Sequence, residues 1–134
     1  MKKLLLLLLA ALLFTACGKM ENTNEETIPM NEPVYRNITA EEAKQIMDSQ
    51  EDYVILDVRS QEEYDQGHIP GAVVIPHTEM EAQAEQVLTD KGRMILVYCR
   101  SGRRSKLAAE TLVQLGYTNI LEFGGILDWP YEVE

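Results

Sequence analysis

Apolar residues recur along this chain in two rhythms, and the switches between them mark out its elements. Residues 53–58 (Tyr-Val-Ile-Leu-Asp-Val) and 94–98 (Met-Ile-Leu-Val-Tyr) are short, nearly continuous apolar runs. Such runs predict strands buried on both faces. Shorter stretches at 34–38, 73–75 and 118–122 predict three more strands. Between the strands the pattern becomes helical. Thr39 with Glu42, and Ser60 with Glu63, are spaced as capping boxes that open two helices. The first runs to about Asp48 and buries Ala43, Ile46 and Met47; the second stops at Gly67. A third helix is predicted over 79–88. A fourth starts at Ser105, with Leu107, Ala108, Leu112 and Leu115 on its apolar face, and ends before Gly116. Strand then helix, repeated, predicts an α/β fold. Its core is a mostly parallel sheet of about five strands with helices on both faces. Sites in such sheets lie beyond the carboxyl ends of the strands. The sequence shows no internal repeat and no metal-ligand spacing.

With 134 residues there is room for one domain and short extensions. The formal net charge of −10 argues against nucleic acid and anionic lipid surfaces as partners. The first residues read as a targeting segment. Lys2 and Lys3 precede an apolar stretch at 4–14 that is too short to cross a bilayer. Leu13-Phe14-Thr15-Ala16-Cys17 then resembles a bacterial lipobox, with Phe14 where leucine is most usual. The resemblance implies that residues 1–16 are a lipoprotein signal peptide and that Cys17 is lipidated. The protein would then be extracytoplasmic and anchored to a bacterial membrane through two acyl chains. Residues 17–33 carry the lipidated cysteine and a polar, aperiodic tether. Residues 34–134 form the globular domain.

Candidate chemistry gathers after the strand at 94–98. Cys99 closes that strand and opens the loop Arg100-Ser101-Gly102-Arg103-Arg104-Ser105, which feeds the fourth helix. Loop N–H groups at a helix start lack intrahelical partners and favour negative charge at the loop centre. Three arginines add positive charge, and Gly102 permits a tight turn. A cysteine so placed is expected to have a depressed pKa and to act as a nucleophile. There are two cysteines, so lipidation of Cys17 leaves Cys99 without a disulfide partner.

Tyr98-Cys99-Arg100-Ser101-Gly102-Arg103-Arg104-Ser105 resembles the active-site loop of the rhodaneses, sulfurtransferases that carry sulfur as a cysteine persulfide. Asp57-Val58-Arg59, Glu63-Tyr64 and Gly67-His68-Ile69-Pro70-Gly71-Ala72 resemble that family's N-terminal motif. Gly124-Gly125 with Trp129 resembles its C-terminal one. The resemblance spans roughly residues 34–131 and implies a rhodanese-like α/β fold. It assigns catalysis to Cys99 and donor binding to Arg100, Ser101, Gly102, Arg103, Arg104 and Ser105, with Asp57, Arg59 and Trp129 in support. His68 is expected to serve the Gly67–Ala72 turn and Phe123 the core. The implied donor is a small anion such as thiosulfate and the acceptor a thiol or cyanide. No cofactor or metal is implied.

Two other readings stand beside this one. The domain could hold a persulfide and relay it to a partner protein, with little free thiosulfate turnover. Oxyanion chemistry on phosphate or arsenate needs Cys-x5-Arg, whereas Arg104 is five positions after Cys99, giving Cys-x4-Arg. As the chain stops soon after Trp129, a single-domain form is expected, with a shallow pocket that leaves Cys99 open to solvent on one side.

Overall fold

The computed structural model describes residues 34–134. The leader, Cys17 and the tether lie outside the described residues. Five strands form one wholly parallel sheet: β1 (Arg36–Asn37), β2 (Tyr53–Asp57), β3 (Val73–Val74), β4 (Met94–Cys99) and β5 (Ile120–Gly125). Their spatial order is β1-β5-β4-β2-β3, with β4 at the centre. Four α-helices connect them: α1 (Ala40–Ser49), α2 (Gln61–Gln66), α3 (Met80–Val87) and α4 (Arg103–Gln114).

Side chains of successive strand residues point to opposite faces, so the apolar runs build two cores. One holds Leu56, Ile95, Val97 and Ile120 against Met80 and Ala84 of α3 and Ala108 and Leu112 of α4. The other holds Ile55, Leu96, Leu121 and Phe123 against Ala43 of α1, with Tyr64 of α2 packed beside it. Leu56 and Leu96 are fully buried; each such side chain contributes about 1.5–3 kcal/mol relative to exposure. The expected parallel sheet covered by helices on both faces is therefore present.

Both capping boxes form. Thr39 accepts from the Glu42 N–H while Glu42 reaches back to the Thr39 N–H, and Ser60 and Glu63 do the same. Several boundaries differ from the sequence expectation. β1 and β3 pair over two residues each, shorter than their apolar stretches. A 3-10 turn at His77–Glu79 precedes α3. Ile46 and Met47 are only half-buried. α4 starts at Arg103 rather than Ser105, and its apolar face is rotated: Leu107 is 44% exposed, whereas Ala109 and Val113 are buried. Ser105 lies on the same buried face. β5 runs on through Gly124 and Gly125, across an irregularity in its register with β4 between Val97 and Cys99.

Candidate active site

β4 delivers Cys99 to the carboxyl end of the sheet, and Gly102 turns the chain into α4 with φ +100°. The turn wraps backbone around the sulfur. Gly102 N–H donates to Cys99 Sγ at 3.0 Å, and Ser105 Oγ lies 3.4 Å from it. Burial pushes the thiol pKa up. Hydrogen bonding with the Ser105 side chain and with the N–H groups of Ser105, Gly102 and Ser101 outweighs it and leaves the pKa below its ordinary value. The depressed pKa expected from the sequence is thus present, with hydrogen bonds as its leading favourable cause.

The three arginines do not converge on the sulfur. Arg103 is exposed on the first turn of α4, and Arg100 is exposed beside a cleft. Arg104 is held by Glu63 of α2 through two hydrogen bonds, Nη1 to Oε2 at 2.6 Å and Nη2 to Oε1 at 2.8 Å. That pairing, with help from Ser60, lowers the Glu63 pKa to about 2 against a smaller opposing effect of burial. Glu63 therefore caps α2 and moors the loop at once.

Asp57 and Arg59 do join one network. Asp57 is fully buried at the end of β2. Its Oδ1 accepts from the Arg59 N–H and Nε, and its Oδ2 accepts from Arg59 Nη2 at 2.6 Å and from the Tyr98 hydroxyl at 2.7 Å. Arg59 Nη2 also donates to the Gly67 carbonyl, and the Tyr98 hydroxyl accepts from the Ile69 N–H. The network ties β2, β4 and the Gly67–Ala72 turn together next to the cysteine. His68 stacks on Tyr64, with ring centroids 3.8 Å apart, and its backbone exchanges hydrogen bonds with Glu134. It serves the turn, as expected.

Gly125 supports the loop from below. A Cβ on it would stand 2.0 Å from the Arg100 carbonyl oxygen, so only glycine fits. Leu127 N–H donates to that same oxygen. Phe123 belongs to the core, and Trp129 both packs on Phe123 and lines the cleft. The cleft, of about 600 Å³, is lined by Arg59, Gln66, Arg100, Trp129 and Tyr131 among others.

One expectation is corrected. The cleft is broad, but Cys99 is not part of its lining and is only 1% exposed. The sulfur is enclosed because the loop from Ser101 to Ser105 folds over it, with Gly102 N–H donating to it and Ser105 Oγ beside it.

The sequence does not assign the contacts of three residues. Glu63 and Tyr98 lie in the matching motifs, but neither the Glu63–Arg104 pair nor the bond from the Tyr98 hydroxyl to Asp57 is legible there. Glu122 reads as the end of a strand, yet it is buried, with Oε1 2.5 Å from Ser105 Oγ. A carboxylate within the apolar stretch Ile120-Leu121-Glu122-Phe123 was the available signal.

Residues 39–131 match the family model described as a rhodanese-like domain. Among curated proteins, the chain is 37% identical over 118 residues to YrkF of Bacillus subtilis, whose name gives it provisionally as a sulfur carrier protein. That match covers 87% of this chain and 59% of YrkF, so the chain spans well under two thirds of that relative. It is 40% identical over 73 residues to the thiosulfate sulfurtransferase PspE of Escherichia coli, covering 54% of this chain and 70% of PspE. A solved Escherichia coli structure described as a rhodanese with anions superposes with a TM-score of 0.58 at 35% identity. It covers 61% of this chain and 96% of that one.

Proposed function

Because the chain belongs to the rhodanese-like domain family, we propose that it moves sulfane sulfur from thiosulfate or a similar anionic donor to a thiophilic acceptor through a persulfide on Cys99. The observation that carries this reading is the set of N–H donors around one sulfur, those of Ser101, Gly102 and Ser105, with the Ser105 hydroxyl 3.4 Å away.

In the first step the Cys99 thiolate attacks the outer sulfur of thiosulfate. A Cys99 S–S bond forms, the S–S bond of thiosulfate breaks, and sulfite leaves with the electron pair. The negative charge ends on the terminal persulfide sulfur, where loop N–H groups stabilise it. In the second step cyanide or a thiolate takes that sulfur, and Cys99 leaves as a thiolate. The cycle is a double displacement. Arg100, exposed at the cleft, is the arginine placed to meet the incoming anion. Arg104 acts through Glu63 by fixing the loop.

The near-complete burial of Cys99 favours a second reading, a relay in which a partner protein opens the loop and takes the sulfur. The provisional sulfur-carrier name of YrkF is in keeping with it. Thiosulfate-to-cyanide transfer by the full chain, beside Cys99→Ala, separates the two. Turnover lost in the variant supports the enzyme. A gain of one sulfur on Cys99 without turnover supports the relay. Neither turnover nor persulfide would sink both.

We further propose that Cys17 anchors the protein by lipid outside the cytoplasm, on the strength of the lipobox resemblance. Fatty-acid labelling that survives Cys17→Ser would refute the anchor.

A further inference from the structure

Two carboxylates are buried near the site, and they are treated differently. Asp57 has a guanidinium partner. Glu122, 2% exposed, accepts hydrogen bonds among the described residues only from neutral groups, the Ser105 hydroxyl and the Gly124 N–H at 2.9 Å. No Lys or Arg among the described residues forms an ion pair with it. A buried charge without a counter-charge is costly. This one stands one hydroxyl away from the nucleophile.

That hydroxyl carries a single hydrogen. With the hydrogen directed to Glu122, the Ser105 oxygen is left as acceptor toward the thiol, in the line Sγ–H···Oγ–H···Oε1. The sulfur is almost closed to water, so its proton needs an internal destination.

We propose that Glu122 is a positioning residue for Cys99, which acts through Ser105 to receive the thiol proton and hold it in the core while the thiolate exists. The step balances. The S–H bond breaks and an Oγ–H bond forms, while the original Oγ–H bond breaks and an Oε1–H bond forms. The electron pair stays on sulfur. One negative charge moves from Glu122 to Cys99, and the buried total does not change. When Cys99 is released as a thiolate at the end of a cycle, the proton can return by the same line.

Other groups facing the pair leave this arrangement intact. Tyr35, before β1, is pushed above its ordinary pKa by burial, Glu110 and Glu122, so its phenol stays neutral. Arg104 feels the sulfur charge but is committed to Glu63. Asp57 is paired with Arg59. Arg100 and Arg103 are exposed.

The assignment rests on reading Cys99 as the nucleophile, but its test reads protonation in the resting protein and needs no turnover. The side-chain carboxyl carbon of Glu122, assigned through its own backbone, is followed by NMR against pH in the full chain and in Cys99→Ala. Two interacting groups titrate as a pair. Two steps in the wild type and one in Cys99→Ala are expected; the same single step in both would overturn the proposal. The ultraviolet thiolate signal of Cys99, taken as wild type minus Cys99→Ala, is then compared on a Glu122→Gln background. Loss of the neighbouring charge should move that titration to lower pH by about one unit or more, and Glu122→Asp should restore it. An unmoved titration would also overturn the proposal. Coupled titration without any persulfide would remove the sulfur-transfer reading while leaving the Glu122 assignment in place.

Discussion

Gly125 meets the carbonyl of Arg100 so closely that a Cβ on Gly125 would stand 2.0 Å from that oxygen, far inside van der Waals contact. The end of β5 is thereby the floor on which the cysteine loop lies. Its neighbour Gly124 has open space around an added Cβ and is constrained only by its φ of +90°.

Gly125→Ala is therefore expected to displace the loop and to lower sulfur transfer by about 100-fold, the scale of a misplacement near 1 Å. Gly124→Ala should cost about 1–2 kcal/mol of backbone strain and far less activity. Steady-state rates and denaturant unfolding of both variants check the contrast. Equal losses in the two would show that crowding at Arg100 is not the cause.

The mooring of Arg104 by Glu63 makes stability depend on acidity. The Glu63 pKa is depressed in the folded protein, from 4.5 to about 2. Its contribution is present above the unfolded value and disappears as pH falls through the folded one. Wild-type stability should thus decline between pH 4.5 and about 2, and Glu63→Gln should flatten that part of the curve. At neutral pH the variant should lose about 1–2 kcal/mol. Urea unfolding across this pH range gives the readout.

Asp57→Ala would leave Arg59 buried without its counter-charge. A loss of about 3–5 kcal/mol is expected, as for other broken buried pairs. Tyr98→Phe removes a hydroxyl that donates to Asp57 and accepts from Ile69, and should cost about 1–3 kcal/mol. Chemical denaturation ranks the two. A Tyr98→Phe loss as large as that of Asp57→Ala would move the weight of the network from the ion pair to the phenol.

Much of the scaffold was legible in the chain. Continuous apolar runs at β2 and β4 can be satisfied only by burial on both faces, and both capping boxes announce their helices by local spacing. Cys99, Gly102 and Ser105 were legible because their chemistry is local to one loop. What stayed hidden depends on distance in sequence. Arg104 finds Glu63 across 41 positions, and Ser105 finds Glu122 across 17. No local pattern reveals that an arginine beside the nucleophile is already engaged, and the glutamate within β5, though conspicuous in an apolar stretch, does not announce which side chain it meets. The enclosure of the sulfur was missed for the same reason, since its environment comes from β5 as well as from the loop.

The sheet places its long strands inside and its shortest outside: β1 and β3 pair over two residues each. An open sheet edge is a template on which another chain can extend a ladder. Here each flank exposes a rung or two before the chain turns away. Copies of the domain held at high local density have little backbone by which to zip together, and any assembly they form is left to side chains on the helices or around the cleft.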